Sequence, residues 1–175
     1  MPKLGFSLVE LILVIALVGA MMIFVTRFFW LRDPDAPRKQ FVVDLNGLVQ
    51  SCWSDALETG KLHRVYFDLK KKQIRAEIEV EKSKKEGGES KFNIQQGGKS
   101  LITWPSNYVI KDFFVSDQNE SKNIDKLESI FFYITSDGTQ DVIINVANEE
   151  DGMTMGLVLN PFAMQFKDYG NFKKP

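Results

Sequence analysis

The residue types that most often carry out catalysis are scarce in this chain. It contains one histidine, His63, and one cysteine, Cys52. His63 begins a predicted strand, with no cysteine or evident carboxylate at a metal-ligand spacing, and we expect a satisfied surface histidine. Cys52 falls on the apolar side of a predicted helix, where a small buried thiol is the expected state. Neither residue belongs to a catalytic dyad that the sequence reveals.

Other catalytic and ligand-binding motifs are also missing from the sequence. There is no glycine-rich phosphate loop, no nucleophile elbow and no metal-ligand array. Asp137-Gly138 and Asp151-Gly152 are acidic turns of the kind found in calcium sites, but turn geometry explains both pairs without an ion. The sequence therefore predicts no catalytic residue, no cofactor and no metal, and the protein is not expected to be an enzyme.

One carboxylate occupies an unusual position. Phe6 to Thr26 is a run of 21 residues whose only charge is Glu10. As a helix, this run is roughly 30 Å long, which matches the hydrocarbon thickness of a bilayer. A carboxylate inside an apolar helix costs about 2.5 to 3.5 kcal/mol on insertion scales, so Glu10 is expected to require a partner. The alternative is that Glu10 lies near the interface and reaches the lipid headgroups.

The residues before this run differ from an ordinary secretory signal peptide. The polar leader is only Met1 to Gly5, the apolar run is longer than that of a signal peptide, and no small-x-small cleavage site precedes Arg27. Gly5 has no side chain, so a protease can approach its backbone closely. Cleavage by an ordinary signal peptidase is disfavoured.

The motif Gly5-Phe6-Ser7-Leu8-Val9-Glu10, followed at once by an apolar run, resembles the N-terminus of type IV prepilins. The resemblance implies that prepilin peptidase cleaves between Gly5 and Phe6 and that Phe6 is then methylated. The freed amine of Phe6 in one subunit would pair with Glu10 of a neighbour in the low-dielectric filament core, which would set the stagger between helices.

Charge counting and the motif predict opposite membrane topologies. Lys3 precedes the apolar run, whereas Arg27, Arg32, Arg38 and Lys39 follow it, and positive charges alone would place the head inside. We follow the family topology, because the cleavage motif is the more specific signal. The family topology implies a single-pass protein of the bacterial inner membrane with its head in the periplasm, which later becomes a pilus or pseudopilus subunit.

The elements that position these residues begin with two helices. The prolines in Asp33 to Pro37 predict a kink or a break after the stem. An amphipathic helix is predicted from Arg38 to Thr59, ending at Gly60. Its apolar positions recur at helical spacing: Phe41, Leu45, Leu48, Cys52, Trp53, Ala56 and Leu57.

The rest of the chain alternates like β-strands. Val65 to Leu69 and Ile74 to Val80 are predicted to pair as an antiparallel hairpin across the turn Lys70 to Gln73. Asp137-Gly138 favours another hairpin turn. Further strands are predicted at residues 101–104, 108–115, 129–135, 141–147, 155–159 and 163–166. The polar stretches 81–91 and 116–126 are predicted to be mobile loops, or alternatively to contact a neighbouring subunit or cargo.

Together these elements predict an α+β, pilin-like fold, in which a long hydrophobic helix continues into an amphipathic helix packed on an antiparallel sheet. The predicted domains are a leader at 1–5, a transmembrane and filament-core helix at 6–32, a kink and amphipathic helix at 33–60, and a β-rich head at 61–175. Within the head, Asp55 to Lys61 leading into Val65 to Asp68, and the Thr135 to Thr139 hairpin, are similar to H-type minor pseudopilins of type II secretion and related minor type IV pilins.

This resemblance implies a minor subunit that assembles through its N-terminal helix into a short filament, at the tip, for type II protein secretion. The implied partners are prepilin peptidase, other minor and major pilins or pseudopilins, the inner-membrane assembly platform and the membrane itself. A net charge of -1 gives no basic field that would favour nucleic acid.

Three alternatives remain open at this point. One is a minor type IV pilus subunit for priming, DNA uptake or adhesion, and another is a single-pass, membrane-anchored sensor or binding protein that does not polymerise. The third is a membrane-anchored hydrolase, for which His63 is the best candidate residue.

Overall fold

The structure is a computed structural model that describes residues 7–29, 35–81, 90–122 and 127–175. Contacts divide the chain into two units, Met1–Lys39 and Gln40–Pro175. The predicted leader, the cleavage site between Gly5 and Phe6, and residues 30–34 around the predicted kink lie outside the described residues.

The first unit contains helix α1, Leu8–Phe29. Ser7 caps the helix, because its Oγ accepts a hydrogen bond from the Val9 amide at 3.3 Å and its carbonyl accepts one from the Glu10 amide at 3.0 Å. The large apolar side chains between Leu8 and Ile23 are 50% to 74% exposed. Within the described ranges, no helix combines the length and the apolar character needed for a membrane span. The predicted membrane stem therefore stays a prediction.

Helix α2, Ala36–Thr59, begins two residues before the predicted start at Arg38. The first turn tolerates Pro37 because amides there have no intrahelical acceptor to lose. The buried face of α2 is formed by Phe41, Leu45, Leu48, Val49, Cys52 and Ala56. Leu57, which was predicted on this face, is 52% exposed, since it lies about 100° around the helix from Ala56.

Gly60 ends α2 as predicted. Its φ of 63° is left-handed, and its amide donates to the carbonyl of Ala56 at 2.9 Å.

The described strands of the head all pair antiparallel with their neighbours. In chain order they are β1 (His63–Asp68), β2 (Gln73–Glu81), β3 (Lys91–Ile94), β4 (Leu101–Thr103), β5 (Tyr108–Val115), β6 (Gln118–Asn119), β7 (Ser129–Thr135), β8 (Gly138–Thr139), β9 (Val142–Asn148), β10 (Thr154–Asn160) and β11 (Gln165–Asp168).

These strands form two sheets, where the sequence predicted one. Sheet A has the order β3-β2-β1-β7-β8, with β4 also paired to β2, and sheet B has the order β11-β10-β9-β5-β6. Alternation along a strand shows which side chains are buried, but it does not show which strands pair. The sequence pattern therefore could not predict that the strands divide into two sheets. The predicted hairpins β1-β2 and β7-β8 are present.

An aromatic core joins the sheets and α2. The Phe67 ring of sheet A lies 5.1 Å from the Phe113 ring of sheet B, in edge-to-face geometry. Phe41 of α2 packs edge-on against Trp104 at 5.0 Å. Asn46 is not apolar, but its side chain exchanges two hydrogen bonds with the backbone of Phe166, at 2.6 and 3.1 Å, and so ties α2 to β11.

The predicted mobile loop 116–126 is wrong over residues 116–122, which the structure describes. Ser116 and Asp117 form a turn with positive φ, and β6 then pairs with the end of β5. Ser121 is 7% exposed, and its Oγ accepts a hydrogen bond from the Phe113 amide at 3.2 Å. Local turn and side-chain hydrogen bonds order this polar segment although it buries little apolar surface. Residues 123–126 lie outside the described ranges.

The other predicted loop, 81–91, is ordered at both described ends, where Glu81 closes β2 and Lys91 opens β3. Residues 82–89 between them lie outside the described ranges.

Candidate functional site

Glu10 lies in the first turn of α1 with its side chain exposed. Ser7 at the helix cap and Glu10 three residues later match the pattern of a capping box. A carboxylate at this end of a helix is also favoured by the positive end of the helix dipole. Among the described residues, no cation forms an ion pair with Glu10, and the expected partner stays a prediction.

One side of α1 is a shallow apolar depression. Its lining residues recur at helical spacing: Val9, Ile12, Leu13, Ala16, Leu17 and Ala20. The alanine side chains leave room for the close approach of a second helix. A side chain added at Gly19 would meet nothing within 4 Å, so packing within the described chain does not explain the absence of a side chain there. This surface is suited to helix-helix contact.

His63 is fully buried, which corrects the expected surface position. His63 begins β1, as predicted, and position 63 shares its inward direction with Val65 and Phe67. The Nδ1 atom lies 2.9 Å from the carbonyl oxygen of Lys61, whereas Nε2 has no partner among the described atoms. Because this imidazole is enclosed, it has no access to an external substrate.

Cys52 is buried, as predicted. Burial, with a smaller contribution from Asp55, raises the pKa of the Cys52 thiol to about 12. The thiol is therefore protonated at neutral pH and is a poor nucleophile.

In the two acidic turns, Asp137-Gly138 and Asp151-Gly152, the glycines and the Asp151 carboxylate stabilise the turns themselves. Gly138 has a φ of 144° in the β7-β8 hairpin, and Gly152 has a φ of 72°, values that favour glycine. Asp151 Oδ1 accepts a hydrogen bond from the Met153 amide at 2.9 Å. In the described part of the chain, no three His, Cys, Asp or Glu side chains converge in a way that could hold a metal ion.

The head also contains a cavity of about 360 Å³ between the β1-β2 turn and the start of β5. Phe67 and Trp104 contribute apolar walls, and Lys70 and Lys72 lie at the polar rim. Lys70 pairs with Glu128, and Lys72 Nζ donates to the carbonyl of Ser106 at 2.8 Å. The lysines are thus engaged with the protein itself, and the lining contains no histidine or cysteine.

The outer face of sheet B is covered by the C-terminal tail, residues 169–175. Asn145 of β9 exchanges two 2.8 Å hydrogen bonds with the backbone of Lys173. The hydroxyl of Thr154 donates to the carbonyl of Gly170 at 2.9 Å. A Cβ added at Gly156 would lie 2.1 Å from the carbonyl oxygen of Asn171, so the tail crosses directly over this glycine.

The outer face of sheet A has a different character. Its solvent-facing positions bring together side chains from four strands that we name the arginine-aromatic cluster: Arg64, Tyr66, Arg75, Phe92, Phe131 and Tyr133. The Arg64 guanidinium lies 4.0 Å from the centre of the Phe92 ring and 5.0 Å from that of Phe131. The Tyr66 and Phe131 rings are parallel within 3° at 6.5 Å. These contacts hold the cluster in one arrangement.

Glu77 joins the two arginines of this cluster. Arg64 Nε donates to one carboxylate oxygen at 2.7 Å, and Arg75 Nε donates to the other at 2.6 Å. The Glu77 side chain is only 6% exposed, so these charge-assisted bonds compensate its desolvation. Arg64, Tyr66 and Phe131 occupy outward positions of β1 and β7, but their contact depends on a strand pairing that hydrophobic alternation does not specify.

Comparisons with known proteins identify the fold of the chain. No family model matches the sequence, and no curated protein matches it. Among solved structures, the chain is similar to the minor pseudopilin EpsH from the type 2 secretion system of Vibrio cholerae, with a TM-score of 0.50 and 9% sequence identity. The match covers 75% of this chain and 95% of that chain. The likeness shows the fold alone, and it supports the predicted α+β, pseudopilin-like fold with antiparallel sheets, whereas the hydrophobic membrane stem stays a prediction.

Proposed function

We propose that the chain is a minor pilin or pseudopilin that assembles through its N-terminal helix into a short filament for protein secretion. The observation that carries this proposal is the pairing of two independent features. The head has a pseudopilin-like fold, and the chain that leads into it opens with Gly5 to Glu10 followed by an apolar run. Neither feature alone specifies a filament subunit.

The sequence run supports the first stage of this function. Before assembly, Phe6 to Thr26 anchors the chain in the inner membrane, with the leader in the cytoplasm and the head in the periplasm. Prepilin peptidase cuts after Gly5, and the amine of Phe6 is methylated. Extraction from the membrane by an inner-membrane assembly platform then moves the helix into the filament.

The exposed apolar side of α1 supports the second stage. In a filament, the depression containing Ala16 and Ala20 receives a neighbouring helix, which covers side chains that are exposed in the single chain. Glu10 then lies in an environment of low dielectric constant, where an unpaired carboxylate is costly. The Phe6 amine of an adjacent subunit supplies the compensating charge and sets the stagger between the two helices.

The similarity to a minor pseudopilin of a type 2 secretion system supports a role in type II secretion, and we place the subunit at the tip of the filament, as the resemblance of the sequence to H-type minor pseudopilins implies. The same features suit a minor type IV pilus subunit for priming, DNA uptake or adhesion. A second candidate function is a membrane-anchored binding protein that does not polymerise, and the 360 Å³ cavity in the head favours it. Filament incorporation separates this candidate from the subunit proposal.

The test is the variant Glu10→Leu, expressed in the natural host and compared with wild type by membrane fractionation and by cross-linking to other pilin-like subunits. Insertion should be unchanged, because the substitution only increases the apolar character of the helix. Incorporation should fall by about tenfold or more, because the neighbour's amine loses its buried partner. The matched control is Glu58→Leu, which replaces an exposed glutamate of α2 and should assemble normally. Normal assembly of Glu10→Leu would refute the pairing, and failure to find wild type in any filament fraction would favour the anchored binding protein.

A further inference from the structure

The two sheets of the head differ in what lies on their outer faces. The C-terminal tail crosses sheet B and is hydrogen-bonded to Asn145 and Thr154. Among the side-chain hydrogen bonds of the described residues, none ties a further segment to Arg64, Tyr66 or Phe131. Phe131 is 36% exposed and the other members of the cluster are partly exposed, so part of this face is open to a partner.

Arg64 is the centre of this surface. Its guanidinium is surrounded by three rings, with Phe92 at 4.0 Å and Tyr66 and Phe131 at 5.0 Å. Its Nε is occupied by Glu77. Among the described residues, neither terminal nitrogen of Arg64 has a hydrogen-bond acceptor. The side chain is 19% exposed, so these terminal N-H groups are partly accessible and have no acceptor within the described part of the chain.

Large apolar side chains lie on the same face, on β7, β3 and β4. Phe131 is 36% exposed, and Ile94 and Leu101 are each 50% exposed. The strand register places Ile94 opposite Glu77, and Leu101 opposite Arg75. Arginine and aromatic residues next to apolar side chains are the composition of interface hot spots between proteins.

We propose that this face binds a protein segment that places an aspartate or glutamate carboxylate on Arg64 and apolar side chains on Phe131, Ile94 and Leu101. A carboxylate matches the paired terminal N-H groups of a guanidinium in a bidentate geometry, and the rings already hold that guanidinium in place. Because the Arg64 side chain is already ordered by the rings and by Glu77, a partner does not have to immobilise it, and that loss of side-chain entropy does not weaken binding.

Nucleic acid is a poorer fit to the same surface. Stacking on aromatic rings suits bases, but a phosphate backbone needs a positively charged groove. Arg64 and Arg75 are both bonded to Glu77, so this face offers a single guanidinium fork and not the continuous positive groove that a polyanion needs, and the whole chain has a net charge of -1. The inference goes beyond the proposed function, because it applies whether or not the chain enters a filament.

The test uses the full chain in detergent micelles and short, capped, fluorescently labelled peptides. One peptide alternates leucine and glutamate, a second alternates leucine and glutamine, and an oligothymidylate serves as the nucleic-acid probe. Binding is followed by fluorescence anisotropy. Wild type should bind the glutamate peptide about tenfold more tightly than the glutamine peptide, since only the former supplies a carboxylate.

Two variants and a control locate the binding. Arg64→Gln and Phe131→Ala should each weaken the glutamate peptide by about tenfold. Phe131→Ala changes a partly exposed side chain, so it tests the face even if Arg64→Gln folds poorly. The control Lys167→Gln removes a cation of β11 that lies 5.1 Å from the Tyr169 ring of the C-terminal tail, and it should bind like wild type. Equal binding of both peptides, no binding, or binding unaffected by both variants would overturn the proposal. Oligothymidylate binding that Arg64→Gln abolishes would overturn it in favour of nucleic acid.

Discussion

At the scale of single residues, burial decides what the reactive side chains of the head can do. Cys52 and His63 are both fully enclosed. The Nδ1 atom of His63 lies at hydrogen-bonding distance from the carbonyl oxygen of Lys61. Burial keeps the Cys52 thiol in its protonated, neutral form. Both side chains therefore belong to the core, and the chemistry of the proposed function rests on Glu10 and the N-terminus instead.

The Cys52 thiol makes the stability of the head sensitive to alkaline pH. Its pKa is about 12 in the folded chain against an ordinary value of 9.0. Between these values the unfolded chain ionises its thiol and the folded chain does not, so the free energy of unfolding falls as pH rises. Denaturant unfolding should therefore show a steeper loss of stability from about pH 9 to about pH 12 in wild type than in Cys52→Ala. Parallel pH profiles for the two proteins would contradict this assignment.

Some residue positions were predictable from sequence and others depended on register. Glu10 stood out because it is the only charge in an apolar run, and Cys52 followed the helical period. His63 would have been placed inside had the alternation of Val65 and Phe67 been extended by one step. The contact between Arg64 and Phe131 depends on how β1 pairs with β7, and residues so far apart in sequence give no local signal of that pairing.

At the scale of elements, the C-terminal tail and β10 depend on a single glycine. The carbonyl of Asn171 approaches Gly156 so closely that any side chain would displace the tail or the strand. The hydrogen bonds of Lys173 to Asn145 fix the tail on the same face. The tail is thus an integral cover of sheet B.

Gly156→Ala should therefore release the tail from sheet B and lower the stability of the head by about 1 to 3 kcal/mol. Limited proteolysis should cleave the variant within residues 169–175 before wild type, and thermal unfolding should begin earlier. The control is Gly47→Ala in α2, where the added Cβ meets only the flexible Lys99 side chain at 3.3 Å. That variant should be neutral or stabilised, because alanine favours a helix interior. If the tail of Gly156→Ala resists protease as wild type does, the close contact is not structurally important.

Helix α2 and the longer strands were predicted from the spacing of apolar residues and from turn residues, whereas the two-residue strand β6 was not. The apolar repeat and Gly60 located α2, and Asp137-Gly138 located the β7-β8 hairpin. The short strand β6 lies in a polar segment whose order comes from turn hydrogen bonds and from Ser121, and hydrophobic alternation does not detect such contacts.

At the scale of the whole molecule, a pseudopilin-like head follows an N-terminus that resembles that of a prepilin. The head fold is established by the two antiparallel sheets and by the similarity to a minor pseudopilin. The apolar side of α1 and the arginine-aromatic cluster lie in different units of the chain. We propose that the first serves assembly and that the second serves recognition of a protein partner.

Processing of the N-terminus separates a filament subunit from an anchored binding protein, because a subunit with a prepilin leader loses that leader before assembly. The protein should be purified from membranes of its natural host and its intact N-terminal peptide measured by mass spectrometry. The account predicts a chain that begins at N-methylated Phe6 and lacks Met1 to Gly5. Replacement of Gly5 by leucine should leave the leader in place, because the protease then meets a side chain at the cut. A wild-type protein that retains Met1 or Leu4 would contradict the account.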